Sequence, residues 1–565
     1  MKQLLNLSES ALDEKIQPDV LNGPAGGSCA GAGQHQKHQE ELAELRPTVK
    51  IRVGKTGGGE AAEILRSPPD LNATFYGNKM RIPIDCFSIE FRSAATYFQK
   101  TVSSNRLSID REFFMETLHA FILFLNGYLW GWPMLALLFG THLFLTVRTR
   151  FIQRYLGKAL KLSFHKENDG EGDVSHFGSL ATALAATIGT GNIVGVATAL
   201  SLGGPGALFW MWLTGVFGMA TKYAEALLSV KYRVRTQDGT MLGGPMYALE
   251  KGLGLKWLAV LFSCFTALAA FGIGNMVQAN SVAAMTETTF HIPAWITGII
   301  VACLTGMTIL GGVKSISRVC TGLVPFMAIF YVIGCLIILF INSDYLLPAL
   351  SEILRSAFSP RAAGGGFIGA TVLMAARYGI ARGLFSNESG LGSAPIVAAA
   401  AKTKNPVNQA LVSSTGTFWD TVIICAMTGL VLMTTLLKYP GELTGLKGAA
   451  LTQAAFSEIP VVGPVALTVG LLTFVFSTIL GWSYYGERAV EYLFGKKAIL
   501  PYRVLWVVAV FFGAVAALPL VWDLSDAMNA LMAIPNLIAL LLLSGVVVSE
   551  TRQYLWEKSE EGHST

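Results

Sequence analysis

The most constraining feature of this 565-residue chain is a succession of long apolar stretches that begins at Leu118 and continues almost to the end. They lie near 119–146, 177–200, 206–230, 257–285, 292–312, 319–341, 366–400, 407–437, 461–485, 502–519 and 525–548. Most run for about 18–28 residues, enough to cross a hydrocarbon core of about 30 Å. Eleven such stretches predict an all-α integral membrane protein, because a helix satisfies its own backbone polar groups in lipid.

Charge divides the chain. Only 14% of residues are charged, against roughly 25% in soluble domains. Residues 1–114 carry 28 charged side chains and the other 451 residues carry 51. The first part is rich in Gly, Pro, Ser and Gln, and is expected to be a poorly structured amino-terminal extension; Gly57-Gly58-Gly59 there lacks the spacing of a phosphate loop and reads as a linker. Residues 115–550 are expected to form the membrane domain and 551–565 a tail. A net charge of +5 with no basic stripe interleaved with aromatics gives no nucleic-acid partner. The seven cysteines lack CxxC spacing, which predicts neither a metal nor a redox framework.

Lys and Arg gather in alternate loops, 21 in one set (Arg148 to Lys166, Lys231 to Lys256, Lys314 and Arg318, Lys402 and Lys404, Arg488 to Arg503, Arg552 and Lys558) and four in the other (Arg355, Arg361, Lys438, Lys447). The positive-inside rule makes the rich set and the carboxyl terminus cytoplasmic. An odd number of spans then leaves the amino terminus outside, which conflicts with a tail of 14 Lys/Arg and no signal peptide. Translation from Met115, just before the first span, or a lineage-specific extension is the expectation that removes the conflict.

Two spans do not read as continuous helix. The second contains Ala185-Ala-Thr-Ile188-Gly189-Thr190-Gly191-Asn192, and the seventh contains Arg382-Gly383-Leu-Phe385-Ser386-Asn387-Glu388-Ser389-Gly390-Leu-Gly392. Irregular backbone at membrane depth persists only where protein or a wet cavity satisfies it. The breaks lie five spans apart, so spans two to six and seven to eleven form an inverted pair with the first span as an extra, and paired interruptions of this kind point to a transporter binding site. A half-helix amino end offers N–H groups to a carboxylate, and a carboxyl end offers carbonyls to a cation. Gly189, Gly191, Gly383, Gly390 and Gly392 are read as cavity positions, Gly195 and Gly429 as close helix packing.

At these residues the chain resembles the alanine/glycine:cation symporters, or sodium:alanine symporter family, of the amino acid-polyamine-organocation superfamily. The matching blocks are Leu184-AATIGTGNIVGVATAL-Ser201, Gly203-GPGALFWMW-Leu213, Met219-ATKYAEALLSVKYR-Val234, Gly243-GPMYALEKGLG, Arg382-GLFSNESGLGSAP-Ile396, Asn405-PVNQALVSSTGTFWDT-Val422 and Phe474-VFSTILGWSYYGE-Arg488. The resemblance covers roughly residues 115–550, which makes that stretch the transporter domain. It implies a leucine-transporter-like inverted repeat of five plus five helices with one extra amino-terminal helix, alternating access, and sodium-driven uptake of alanine or glycine across the plasma membrane (a bacterial inner membrane), with no organic cofactor.

Thr190, Gly191 and Asn192 are the expected substrate-carboxylate end of the site. Phe385 is expected to wall the side-chain pocket and Ser386 and Asn387 to supply oxygens. Glu388 is expected to brace the second break with Arg382 as its partner. Ser477 and Thr478 resemble the hydroxyl pair of a sodium site, which the family pattern completes with the carbonyls of Ala185, Ile188 and Phe474; neutral hard oxygens suit a monovalent hard cation. Trp482, one turn after Thr478, is expected to close the pocket, and Asp420 to pair or gate. Lys222 and Glu225 read as an intrahelical pair near the cytoplasmic edge.

Two rivals remain open to experiment. An intramembrane enzyme using Ser389 needs a base within hydrogen-bond reach, and all eight histidines read as loop, tail or span-end residues. A channel would give passive, sodium-independent flux.

Overall fold

The computed structural model describes residues 50–56, 59–65, 109–165, 170–358, 372–443, 445–516 and 519–557. The rest of the amino-terminal segment, the start of the seventh apolar stretch and the end of the tail lie outside the described residues.

The chain divides into two compact units, Met1–Asp110 and Arg111–Thr565. In the first, β1 (Lys50–Thr56) pairs antiparallel with β2 (Gly59–Leu65), with Thr56 opposite Gly59. This hairpin lies within the segment expected to be poorly structured; Gly57 and Gly58 lie outside the described residues. Its signal is the alternation Lys50-Ile51-Arg52-Val53 ahead of the Gly-Gly pair, the pattern of a two-strand turn.

The second unit is helical. Its first helices are α1 (Ile109–Leu129, within this unit from Arg111 on) and α2 (Trp132–Arg148), bent by 42° at Gly131 with Pro133 in the first turn of α2. The short α3 (Leu156–Phe164) leads to α4 (His176–Thr187) and α5 (Gly191–Gly203), which meet at 54°. Then come α6 (Gly206–Lys231), α7 (Lys256–Phe290), α8 (Ala294–Ile309) and α9 (Gly312–Ile341). After α10 (Leu346–Phe358), the interrupted pair α11 (Val372–Asn387) and α12 (Pro395–Ala398) precedes α13 (Pro406–Lys438). The chain continues with α14 (Gly448–Phe456), α15 (Val462–Phe494), α16 (Lys496–Val515), α17 (Leu520–Leu542) and α18 (Ser544–Thr551).

By length and composition six described helices can cross a bilayer, and the two bent pairs α1/α2 and α4/α5 raise the number to eight. Three further apolar stretches fall short for identifiable reasons. The α6 helix carries Lys222 and Glu225, α8 has 16 residues and reaches only about 24 Å, and α11/α12 is interrupted by polar residues. The protein is an all-α, multi-span membrane protein.

Each break has a local cause. Ile188 leaves helical geometry at φ −77°, ψ 99°, and the freed Gly189 amide donates to Asn192 Oδ1 at 2.9 Å. After Asn387 the backbone visits the left-handed region at Glu388 (φ 56°), Gly390 (φ 89°) and Gly392 (φ 85°), so no right-handed helix can continue. For Glu388, a residue with a Cβ, that conformation costs about 1–2 kcal/mol.

The α6 helix packs between α11 and α13. A Cβ added to Gly379 would overlap Ala207 O, and one added to Gly383 would overlap Thr214 Oγ1. Gly383 is therefore a close-packing residue and not a cavity position, whereas Gly195, expected to pack, faces open space. Gly429 does pack, its added Cβ meeting the Leu208 side chain at 3.0 Å.

Candidate functional site

The two breaks abut. A Cβ on Gly191 would lie 3.3 Å from the Ser386 Cα and 3.4 Å from the Phe385 ring. Glycine eases this approach of α5 to α11, since an added Cβ would require its neighbours to give by a few tenths of an ångström.

Asp420 on α13 ties the breaks together. Its Oδ1 accepts from Asn192 Nδ2 at 2.7 Å, and its Oδ2 accepts from Ser386 Oγ at 2.9 Å and Thr421 Oγ1 at 2.7 Å. Asp420 is fully buried. The expected pairing or gating aspartate is thus a hub of neutral donors. Asn192 is fully engaged, accepting from the Gly189 amide and donating to Asp420, so its side chain follows the capping reading. Thr190 Oγ1 accepts from Gln278 Nε2 at 3.2 Å.

Beside the first break, five oxygens converge. Ser477 Oγ donates to Ala185 O at 3.2 Å and Phe474 O at 2.8 Å, and Thr478 Oγ1 contacts Ile188 O at 3.2 Å and Phe474 O at 2.9 Å. The bonds to Phe474 are the ordinary back-bonds of helix hydroxyls. Those to Ala185 and Ile188 cross from α15 to the carbonyl end of α4. Each hydroxyl hydrogen is shared between two carbonyls, and these five neutral oxygens are of the type that can hold a small hard cation. A Cβ on Gly189 would come within 2.6 Å of Thr478 Oγ1, so glycine is also required at the rim of this cage.

The second break is braced from three sides. Glu388 accepts from Ser393 Oγ at 2.5 Å and from Trp482 Nε1 at 2.9 Å. Trp482 is buried and its indole latches α15 to the break, with Gly274 of α7 against its Cβ. Gly274→Ala should force that indole aside and cost about 1–3 kcal/mol, read as a fall in thermal midpoint with loss of the Trp482–Glu388 bond.

Arg382 does not pair with Glu388. Six residues on a helix turn through about 600°, leaving the two side chains roughly 120° apart. Arg382 instead stacks over Phe385 at 5.5 Å and lines a cavity of about 220 Å³ with Arg377, Asp523 and Asp526. Asn387 also differs from expectation. Its amide donates to Thr421 Oγ1 at 3.1 Å, and its Oδ1 accepts from the Ser389 amide at 3.0 Å, which commits it to the scaffold.

The largest departure concerns Lys222 and Glu225. Both are buried, at 3% exposure, and they do not bond each other. Lys222 Nζ donates to the Asn387 carbonyl at 2.8 Å, covering the carboxyl end of α11. Glu225 Oε1 accepts from the amides of Gly390 (3.0 Å) and Gly392 (3.1 Å) and from Asn536 Nδ2 (2.7 Å). His142, expected near a span end, is buried beside Gly390 and shares a 2.7 Å bond with Thr221. Sequence reading missed Gln278, Asn536 and the roles of Lys222 and Glu225. The available signal was intramembrane polarity itself: a charge or amide within an apolar span marks a site by default.

Two interrupted helices in contact at a buried polar centre, one with an oxygen cage at its carbonyl end, define the architecture of a helical membrane transporter. The profile of the sodium:alanine symporter family matches residues 115–565, and the chain belongs to that family. It is 56% identical over 437 residues to the sodium/alanine symporter AgcS of Methanococcus maripaludis, covering 76% of this chain and 95% of that protein. It is 52% identical over 442 residues to an uncharacterized transporter of Haemophilus influenzae, covering 78% and 96%. It is 37% identical over 439 residues to the probable sodium/glutamine symporter GlnT of Bacillus subtilis, covering 77% and 90%. Among solved structures, MhsT with L-phenylalanine aligns at a TM-score of 0.48 and 15% identity over 69% of this chain and 91% of that one.

Proposed function

We propose that the protein is a secondary active transporter that carries alanine, or a similarly small neutral amino acid such as glycine, into the cell together with sodium. Alanine is favoured over larger substrates because the relative named for sodium and alanine is 56% identical and the one named for glutamine 37%. The reading places the protein in the plasma membrane with eleven crossings and a cytoplasmic carboxyl terminus, the tail 551–565 following the transporter domain 115–550. Spans two to six and seven to eleven would be its inverted halves.

The observation that carries the reading is the contact of the two breaks next to the five-oxygen cage. In this reading the backbone amides at Thr190, Gly191 and Asn192 hold the substrate carboxylate at the positive end of α5. In this reading the Ser386 carbonyl, one residue before the Asn387 carbonyl that Lys222 covers, receives the ammonium, Phe385 walls the methyl group, and Trp482 closes the site. Sodium sits among Ala185 O, Ile188 O, Phe474 O, Ser477 Oγ and Thr478 Oγ1. When bound it draws α4 onto α15, and its departure frees α4 to move. That linkage couples the ion to alternating access. Asp420, Glu388 and Arg382 serve as braces and as a gate on the cavity beside Asp526.

Proteoliposomes holding the full chain should concentrate labelled alanine above the external level when sodium is imposed outside, and should not when potassium replaces it. Accumulation that ignores sodium, or passive equilibration alone, would reject the symport reading. Asp420→Asn is expected to lower uptake at least tenfold with the protein still folded, since the amide cannot accept from Asn192, Ser386 and Thr421 together; unchanged uptake would remove Asp420 from the site.

A further inference from the structure

An apolar groove of about 490 Å³ opens between α4, α9 and α13, with Ile188 of the first break in its lining. Leu184 and Ile188 form its floor, Ala328 and Ile329 one wall, and Trp419 and Ile423 the other. Its volume falls in the roughly 300–1,000 Å³ range of sites that hold a small organic molecule. Along α9 it runs from Val324 to Ile333, about 14 Å, close to the roughly 15 Å of one bilayer leaflet. The positions 324, 325, 328, 329, 332 and 333 form a single stripe of helical spacing.

The same stripe continues toward the amino end of α9. Arg318 precedes Pro325 by seven residues, two turns on the same face, and is exposed. Across the mouth, the short helix α3 contributes Ser163 and Phe164 to the lining, with Phe164 stacked on Phe177 at 5.3 Å. Lys161, also exposed, lies three residues before Phe164 on that face of α3. Both cations belong to the loop set that the positive-inside rule assigns to the cytoplasmic surface.

We propose that this groove is a binding site for an anionic phospholipid of the inner leaflet. One acyl chain lies between α4 and α9, and the phosphate headgroup is held at the mouth by Arg318 and Lys161. An apolar channel one leaflet long with two cations at its polar end matches such a lipid in both shape and charge. Ile188 is shared: its side chain floors the groove and its carbonyl belongs to the oxygen cage. A bound chain therefore supports α4 directly behind the cation position.

The test uses the full-length protein in nanodiscs of phosphatidylglycerol mixed with phosphatidylcholine, read by native mass spectrometry after release. The wild-type protein should retain one phosphatidylglycerol, preferred at least tenfold over phosphatidylcholine. Ala328→Trp, which fills the groove, should abolish retention. Lys161→Gln combined with Arg318→Gln, two exposed positions that folding does not require, should erase the headgroup preference. Equal retention of both lipids by the wild type, or undiminished phosphatidylglycerol retention in either variant, would overturn the proposal. The measurement involves no transport, so its failure leaves the symport reading standing.

Discussion

Lys222→Met is expected to destabilise the transporter by about 3–5 kcal/mol, the range for removing one member of a buried charged group. The Lys222 ammonium covers the Asn387 carbonyl at the end of α11, and its field also acts on Glu225, Glu388 and Asp420. Methionine fills similar space but donates nothing, so the carbonyl is orphaned and the three buried carboxyl groups lose the field of that ammonium. Total stability of a folded domain is commonly only about 5–15 kcal/mol, and a loss of this size should appear as a collapse of the thermal midpoint in detergent. Glu225→Gln alone should cost less, because its remaining carbonyl oxygen can still accept from Gly390 and Gly392. Combined with Lys222→Met it should restore part of the loss, a positive coupling in a double-mutant cycle. A Lys222→Met protein with the wild-type midpoint and wild-type uptake would show that the buried ammonium braces nothing.

Thr478→Ala is expected to raise the sodium concentration for half-maximal alanine uptake by roughly ten- to a hundredfold. Losing an oxygen that contacts a charged partner costs about 1.5–3 kcal/mol, and each 1.4 kcal/mol is about a tenfold change in binding. The effect should be confined to sodium at saturating alanine. Thr473 offers the control: its hydroxyl bonds back to Val469 O at 3.1 Å on the exposed face of the same helix, so Thr473→Ala should leave the sodium curve in place. If Thr478→Ala shifts the curve no further than Thr473→Ala, the five oxygens are not the ion site.

The order of the helices is legible in the sequence because lipid imposes a length and a composition on each crossing, and the breaks because glycines there stand among polar residues inside an apolar span. The contact of Ser477 and Thr478 with α4 was legible for another reason. Ser477 and Thr478 are adjacent hydroxyls in an apolar span, and resemblance to a family supplied their partners on α4. The brace around the second break was not legible. Lys222 and Glu225 are three residues apart, and local spacing suggests that they pair; in space each turns to α11 and the loop after it, where Asn387, Gly390 and Gly392 expose groups that no helix satisfies. The Arg382–Glu388 pairing failed for the opposite reason. The two are close in sequence, but helical phase and the left-handed turn at Glu388 send them apart.

The charge pattern and the apolar stretches alone determined that this chain lives in a bilayer, in what order its crossings follow, and two of the places where a helix is interrupted; the bend between α1 and α2 at Gly131 was not among them. Tertiary structure alone decided what the interruptions bind to: Asp420 joining Asn192 to Ser386, Glu225 collecting two loop amides, Trp482 reaching Glu388. The division has a physical cause. Crossing lipid is a demand on each segment separately and is written in local composition. Satisfying a broken backbone is a demand met by side chains from helices distant in sequence, which only packing brings within hydrogen-bond reach.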